Sequence, residues 1–327
     1  VRTRSHRGPV VSRSLTPTAG PRVHVSVIIP HRNTPEALDR CVEAVVRCCA
    51  ELAYELLVVD NGSDAESRAR PALEHGGRVL RNAWNRGFAA ACNQAAAVAS
   101  GRYLLFLNSD VEIGASTISR MVEELERDPG LAGIAPLHRD SCGHAESPAR
   151  AWLGPLAQAL ALLGYERARA PHSTSEAAIG GAPWVNAAAL LVRSRAFRLI
   201  GGFDEGYFFY EEDEDLGWRF ARRGFRMAVC RDATVEHHGG LSADVAGAWP
   251  VLALYAGQAR FMRRRCGVGG EWLYRASTFA AIAIKATHGR IRGRRAPSLA
   301  RTAPSRVLRL LCSRRMQVRI VEESAGR

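Results

Sequence analysis

The chain has no uncharged apolar run of the roughly 20 residues that a membrane-spanning helix needs. Its first residues are rich in arginine but lack an apolar signal core, so the sequence predicts a cytoplasmic protein. The eight cysteines contain no Cys-x-x-Cys pair, which argues against a zinc ribbon or a thioredoxin-like redox site. Cys41 and Cys48, seven apart on one expected helix, read as small apolar core residues in a reducing compartment.

Acidic residues are missing from residues 1–22, which carry five arginines among Ser, Thr, Pro and Gly. That composition predicts a disordered basic arm. Residues 251–327 hold 16 arginines and Lys285 against three glutamates, so the net charge of +13 sits at the two ends and 23–250 is mildly acidic. A basic nucleic-acid-binding core is thereby disfavoured, and no specific nucleic-acid partner is expected. Basic ends on a mildly acidic body suit peripheral contact with an anionic surface, such as the inner face of the cell membrane. At 327 residues, 47% hydrophobic and 24% charged, the chain can bury a large core.

Val23 to Ile29 is a dense β-branched run ended by Pro30, the pattern of a buried strand. Thr34-Pro35-Glu36 opens a helix, with Thr as N-cap and Pro at the first position. Its apolar stripe is Leu38, Cys41, Val42, Val45 and Cys49. A second strand, Glu55 to Val59, ends at Asp60-Asn61-Gly62-Ser63. Strand, helix, strand implies a right-handed parallel crossover, with ligands bound at the carboxyl rim of the sheet. Asp60 lies on that rim, although Asp60-Asn61-Gly62 also reads as a simple turn.

Arg78 to Arg81 suggests a third strand, and Ala89 to Ala99 a helix of small residues. Asn85 and Asn93 beside it could hydrogen-bond a base or ribose, with Asn85 as a plain cap residue the alternative. Tyr103 to Leu107 is a strand running into Asn108-Ser109-Asp110, with a helix after it. One such turn can hold Mg²⁺ or Mn²⁺ when substrate phosphates supply more oxygens. Residues 138–182 read as a variable excursion over the pocket. Arg226 to Val229 is expected as a last short strand, followed by Glu236-His237-His238, of which one histidine is a candidate ligand. Beyond about residue 250, apolar-aromatic pieces alternate with arginine runs, the mark of amphipathic helices at a membrane surface.

The most informative stretch is Phe208 to Arg219, with five consecutive carboxylates from Glu211 to Asp215. Leu216 and Phe220 are four apart, Arg219 can pair with Asp215, and Gly224 suits a helix end. The acids therefore fall at a helix N-terminus. The macrodipole favours their ionised form while neighbouring acids disfavour it, a balance that suits a general base. A solvated acidic loop is the plainer reading of a charge run. The flanking Phe208, Phe209, Tyr210 and Trp218 favour a pocket.

In order along residues 23–240, these motifs resemble the inverting family 2 glycosyltransferases of the GT-A fold, especially their rhamnosyltransferase-like branch. The resemblance rests on Pro30 to Asn33, Asp60 to Ser63, Asn85-x-Gly87-Phe88 with Asn93, Asn108-Ser109-Asp110, Gly201 to Asp204, Glu212-Asp213-x-Asp215-Leu216 with Arg219, and His237. It implies an α/β fold with a Rossmann-like, mostly parallel sheet flanked by helices. The catalytic domain would be 23–250, followed by a basic helical extension over 251–327. It further implies that Asp213 is the general base, supported by Glu212, and that Asp110 and His237 attend a Mg²⁺ or Mn²⁺ ion. Pro30, Asn33, Asp60, Asn85, Gly87, Asn93 and Asn108 would bind the nucleotide sugar. Asn108 replaces the first acid of the family's Asp-x-Asp, and His31-Arg32 stands where a small residue and Tyr are common.

The implied reaction moves a sugar, with rhamnose a candidate, from a nucleotide-diphosphate donor to the hydroxyl of a glycan or polyprenyl-linked acceptor. A cation neutralises the diphosphate, and a base on the opposite side of the anomeric carbon gives inversion. Two competing readings are a two-carboxylate glycoside hydrolase, which has no need of the Asp60 and Asp110 turns, and a non-catalytic basic adaptor.

Overall fold

The computed structural model describes residues 24–49, 52–65, 75–139, 144–163, 184–237 and 249–292. The expected arm over 1–22, the alternative ligand His238, and the basic tail from residue 293 lie outside them.

The β-branched run forms Val25–His31 (β1), buried along almost its whole length. It pairs in parallel with Tyr54–Asn61 (β2) on one side, beyond which lies Arg78–Asn82 (β3), and with Tyr103–Leu107 (β4) on the other. Alternate β1 residues serve opposite faces. Val25, Val27 and Ile29 pack with Leu38, Cys41 and Val45 of the crossover helix Pro35–Cys48 (α1). Ile28 packs with Ala91, Cys92 and Ala95 of Phe88–Val98 (α2), whose small side chains let helix and sheet approach closely.

The second half of the sheet is mixed. Leu131–Arg139 (β6) and Arg226–His237 (β11) are parallel, but Ala189–Arg193 (β10) lies antiparallel between β4 and β6. Val111–Ile113 (β5) closes the edge against β11, giving the order β3-β2-β1-β4-β10-β6-β11-β5. Ala145–Glu146 (β7) adds to it on β6, while Ala149–Arg150 (β8) and Trp184–Val185 (β9) form a separate two-stranded sheet. Helix Thr117–Arg127 (α3) covers β11 and β6, and Pro155–Leu162 (α4) and Ser194–Leu199 (α5) lie outside. The acidic stretch becomes Glu212–Ala221 (α6), and the chain continues into Trp249–Arg292 (α7), which breaks at Gly267 with φ 72°.

Several local expectations are corrected. Thr34 does not cap α1 with its side chain. Its hydroxyl is instead shared with His31 and Ser109, tying β1 to the β4 turn. The turn at Asp110 feeds β5 before α3 begins, because Val111 and Ile113 have an edge to join on β11. The last strand is 12 residues long, not four, and His237 ends it rather than following it. A register shift between Cys230 and Thr234 bends the strand and sustains pairing through a polar stretch.

Nor is α7 simply a surface helix. Leu252, Tyr255, Ala259, Phe261, Met262 and Tyr274 are buried with Tyr207 and Phe208. Phe261, Met262 and Tyr274 are fully buried, each worth about 1.5–3 kcal/mol. The accompanying pairs of Arg260 and Arg264 with Asp204 are partly exposed. Such pairs contribute only about 0–1 kcal/mol each, so apolar packing rather than charge holds the helix to the body.

Candidate active site

The carboxyl ends of β1, β2, β4 and β11 open into one pocket of about 210 Å³. Its wall includes Pro30, Arg32, Asn61, Asn85, Gly87, Asn108, Asp110, Asn186, Tyr210 and His237. Parallel register places His31 beside Asp60, so the turns after β1 and β2 emerge together.

Asn61 holds the first wall. Its Nδ2 donates to Asn85 Oδ1 (2.9 Å) and Gly87 O (3.1 Å), while its Oδ1 accepts from Asn82 Nδ2 and the Arg86 backbone N–H. Gly87 has φ 85°, and a Cβ there would run into the Phe208 carbonyl, which accepts the Phe88 N–H at 2.9 Å. Glycine is thus required where the α2 entry meets the aromatic stretch. Asp60 is buried behind Asn61, and its carboxylate accepts the Ser63 N–H. Asn33, with φ 54°, clamps Ser63 and Asp64 through both its backbone and its amide.

On the far wall, His237 Nε2 stands 3.6 Å from Asp110 Oδ1. The His138 ring lies 5.7 Å from that of His237. Burial, and after it the neighbouring His237, lower the His138 pKa to about 4. Asp110 and His237 offer one carboxylate and one imidazole to the pocket. Among the described residues no group of three or more His, Cys, Asp or Glu side chains could cage a metal ion. Two donors fit a cation that takes its remaining ligands from a bound phosphate and water.

The acid run lies behind a third wall, which its neighbours Phe208, Phe209 and Tyr210 line. All five carboxylates are buried, between 0 and 9% exposed, although charge runs normally face solvent. Tyr210 and Glu211 precede α6 with φ 68° and 70°, a left-handed corner costing about 1–3 kcal/mol per residue. That corner rests on α7: a Cβ at Gly257 would meet the Glu211 side chain and the Tyr210 carbonyl at 3.0 Å. Gln258 Nε2 donates to Glu211 Oε1 at 3.1 Å, and Tyr274 donates its hydroxyl to Gln258 Oε1 at 2.8 Å. Asp215 is engaged by Arg219 at 2.6 Å, the spacing that the sequence predicts.

Asp213 sits behind the pocket lining at Asn186. Its Oδ2 accepts the Ala187 N–H and its Oδ1 the Glu214 N–H. Burial and then the Glu211 carboxylate push its pKa up to about 7, against those backbone bonds. Burial and Asp213 hold Glu212 well above the carboxylate range, and burial and Glu211 do the same to Glu214. Burial and acidic neighbours thus favour the protonated form of Glu212 and Glu214, while Asp213 is poised between its two forms near pH 7. Environments that split adjacent carboxyls in this way mark out acid–base roles.

A group whose pKa is raised by folding stabilises the protein fully at low pH and loses that contribution as pH rises through its folded value. Glu214 has one buried oxygen without a hydrogen-bond partner. Glu214→Gln is accordingly expected to raise the melting temperature at pH 8 by about 2–6 °C, since relieving such a group is worth roughly 1–2 kcal/mol. Thermal melts at pH 5 should show little difference between the two proteins.

Asn93 stands apart from the pocket. Its amide donates to the Phe203 carbonyl and Glu205, and its Oδ1 accepts the Phe203 N–H, pinning the Gly202-Phe203 turn. Sequence reasoning passed over Asn61 as a turn residue and Asn186 altogether. It noted Arg32 only as a departure from the family pattern. An arginine beside a strand-end proline was the available signal. Its guanidinium lines the pocket with Nε buried and unpartnered.

The pocket opens where the strand order reverses between β1 and β4, and Asp110 meets His237 there, as in sugar transferases of the GT-A fold. Residues 26–180 match the family model Glycosyl transferase family 2, and the chain belongs to that family. It is 30% identical over 217 residues to the N-acetylglucosaminyl-diphospho-decaprenol L-rhamnosyltransferase of Mycobacterium tuberculosis, covering 60% of this chain and 70% of that protein. The O-antigen biosynthesis protein RfbC of Myxococcus xanthus is 28% identical over 70% of this chain and 18% of its own length. Two solved structures share the fold. The mannosyltransferase PcManGT from Pyrobaculum calidifontis, in complex with GDP-Man and Mn²⁺, has a TM-score of 0.52 at 17% identity, covering 95% of this chain and 87% of that one. GalNAc-T7 with UDP, GalNAc and Mn²⁺ has a TM-score of 0.54 at 18% identity, covering 66% and 44%.

Proposed function

We propose that the chain transfers a sugar, with rhamnose the first to test, from a nucleotide-diphosphate donor to the hydroxyl of a lipid-linked saccharide, with inversion. The observation that carries this reading is the meeting of Asp110 and His237 in a pocket that Asn186 also lines, with Asp213 directly behind it on the Ala187 N–H. The rhamnosyltransferase relative, whose name specifies a diphospho-decaprenol acceptor, supports the choice of substrates.

Asp60, Asn61 and Asn85 hold the nucleoside at the ends of β1 and β2. Asp110 and His237 hold a divalent cation, Mg²⁺ or Mn²⁺, which when bound neutralises the departing diphosphate. Arg32 adds a fixed positive charge to the same pocket. Asp213 takes the proton of the acceptor hydroxyl as its oxygen attacks the anomeric carbon. The Ala187 and Glu214 N–H groups fix the orientation of that carboxylate. Burial and the Asp213 charge favour the protonated form of Glu212 beside it, which limits the negative charge around the base.

Turnover of nucleotide sugars with Mn²⁺ or Mg²⁺ and a polyprenyl-diphospho-GlcNAc acceptor tests the proposal, with the product anomer read by NMR. Inverted product and released nucleoside diphosphate are expected. A retained anomeric configuration would overturn the single-displacement mechanism. Arg32→Ala should raise the donor KM about tenfold or more with little change in kcat, because a charge-assisted contact is worth about 1.5–3 kcal/mol. Initial rates against donor concentration check this.

A further inference from the structure

The outer face of α7 beyond Gly267 is apolar without interruption. Trp272, Leu273, Phe279 and Ile284 are 42–58% exposed, and Ala276 and Ala280 between them are exposed too. At 3.6 residues per turn, positions 272, 276, 279 and 283 stack along one side, and 271, 274, 278 and 281 along the other. The inner side is the one that the body covers: Glu271, Tyr274, Thr278 and Ala281 are buried. Among the exposed residues from 268 to 284 none is charged. The adjoining helix α4, tied to α7 by Ser277 to the Pro155 carbonyl and Lys285 to the Leu162 carbonyl, exposes Leu156 and Leu160 as well. A water-soluble surface rarely keeps so long an apolar stripe unless something covers it.

Charge indicates what that is. At one end of the stripe Arg263 and Arg264 are paired with Glu271 and Asp204, while at the other lies Lys285, after which the sequence runs through Arg290, Arg292, Arg294 and Arg295. A second copy of the chain would bring like charges together, whereas an anionic bilayer meets both the apolar stripe and the basic run that follows it. We infer that α7 beyond Gly267, with α4 beside it, is the surface by which this protein lies on an anionic lipid bilayer. This deepens the reading of a lipid-linked acceptor and rests on it for its purpose. The same helix, before its break, touches the acid run through Gln258 and Glu211, so the docked face and the pocket belong to one structural unit.

Co-sedimentation of the full chain with vesicles tests the assignment. Strong binding is expected to phosphatidylcholine vesicles containing about a third phosphatidylglycerol, weaker binding to pure phosphatidylcholine, and a loss of binding in high salt. Trp272→Glu with Phe279→Glu should reduce binding at least tenfold while leaving the melting temperature and donor affinity unchanged, since both side chains face outward. Binding that persists in the transfer-deficient Asp213→Asn protein supports the surface independently of the reaction. Unchanged vesicle binding by the double variant would overturn the inference. So would a dimer of the parent chain that the double variant dissociates, or a stripe protected from solvent in the lipid-free chain by residues 293–327.

Discussion

Asp213→Asn is expected to lower kcat by about 10²–10⁴, the usual range for loss of a general base, with donor KM near its original value. The reasoning is one of elimination by environment. Burial and acidic neighbours raise Glu212 and Glu214 well above the carboxylate range, and Asp215 is committed to Arg219. Asp213 alone among these four sits directly behind the lining at Asn186, bonded to the Ala187 N–H, and is poised at about 7. An asparagine fits the same space but accepts no proton. The same assignment sets the pH dependence. The base works ionised, so kcat/KM should rise about tenfold per pH unit below 7 and level off above it. In Asp213→Asn that limb should vanish, leaving a nearly flat profile. A variant that retains the rising limb would place the base elsewhere.

Asp110→Ala is expected to reduce kcat/KM about 10³-fold or more, since neutralising a leaving diphosphate is worth several kcal/mol. Among the described residues Asp110 is the sole carboxylate lining the pocket beside His237, and Asn108, in the same turn, carries no charge to replace it. The parent protein should lose activity in EDTA and regain it with Mn²⁺ or Mg²⁺. The variant should need far higher metal concentrations, which a titration of rate against Mn²⁺ reads directly. Equal metal affinity in parent and variant would remove Asp110 from the metal's ligands.

Much of the fold was legible because its signals are local. The run from Val25 to Ile29 has no partner but a strand buried on both faces, and the Leu38 to Val45 stripe declares its helix. The reversal of β10 was not legible, since an apolar run reads the same in either direction and only its neighbours fix the sense. The acid run was read as a helix start, and it is one. Its aromatic flanks pointed to a pocket and it is buried, but the partners that bury it were hidden, because Gly257, Gln258 and Tyr274 lie some 45 to 60 residues further on. Distance in sequence also explains Asn93, whose partners are Phe203 and Glu205. In isolation an asparagine on a helix of alanines looks available to a ligand. Asn61 shows the converse: the Asp60-Asn61-Gly62 turn was visible, but its hub role depends on Asn82, Asn85 and Arg86 arriving from β3 and the α2 entry.

The most direct test is a crystal structure of the protein with Mn²⁺ and a nucleoside diphosphate, the metal located by its anomalous scattering. One metal peak is expected against Asp110 and the diphosphate, with the nucleoside lying over the ends of β1 and β2 beside Asp60 and Asn61. A nucleotide seated outside this pocket, or a metal held away from Asp110, would contradict the assignment of the site.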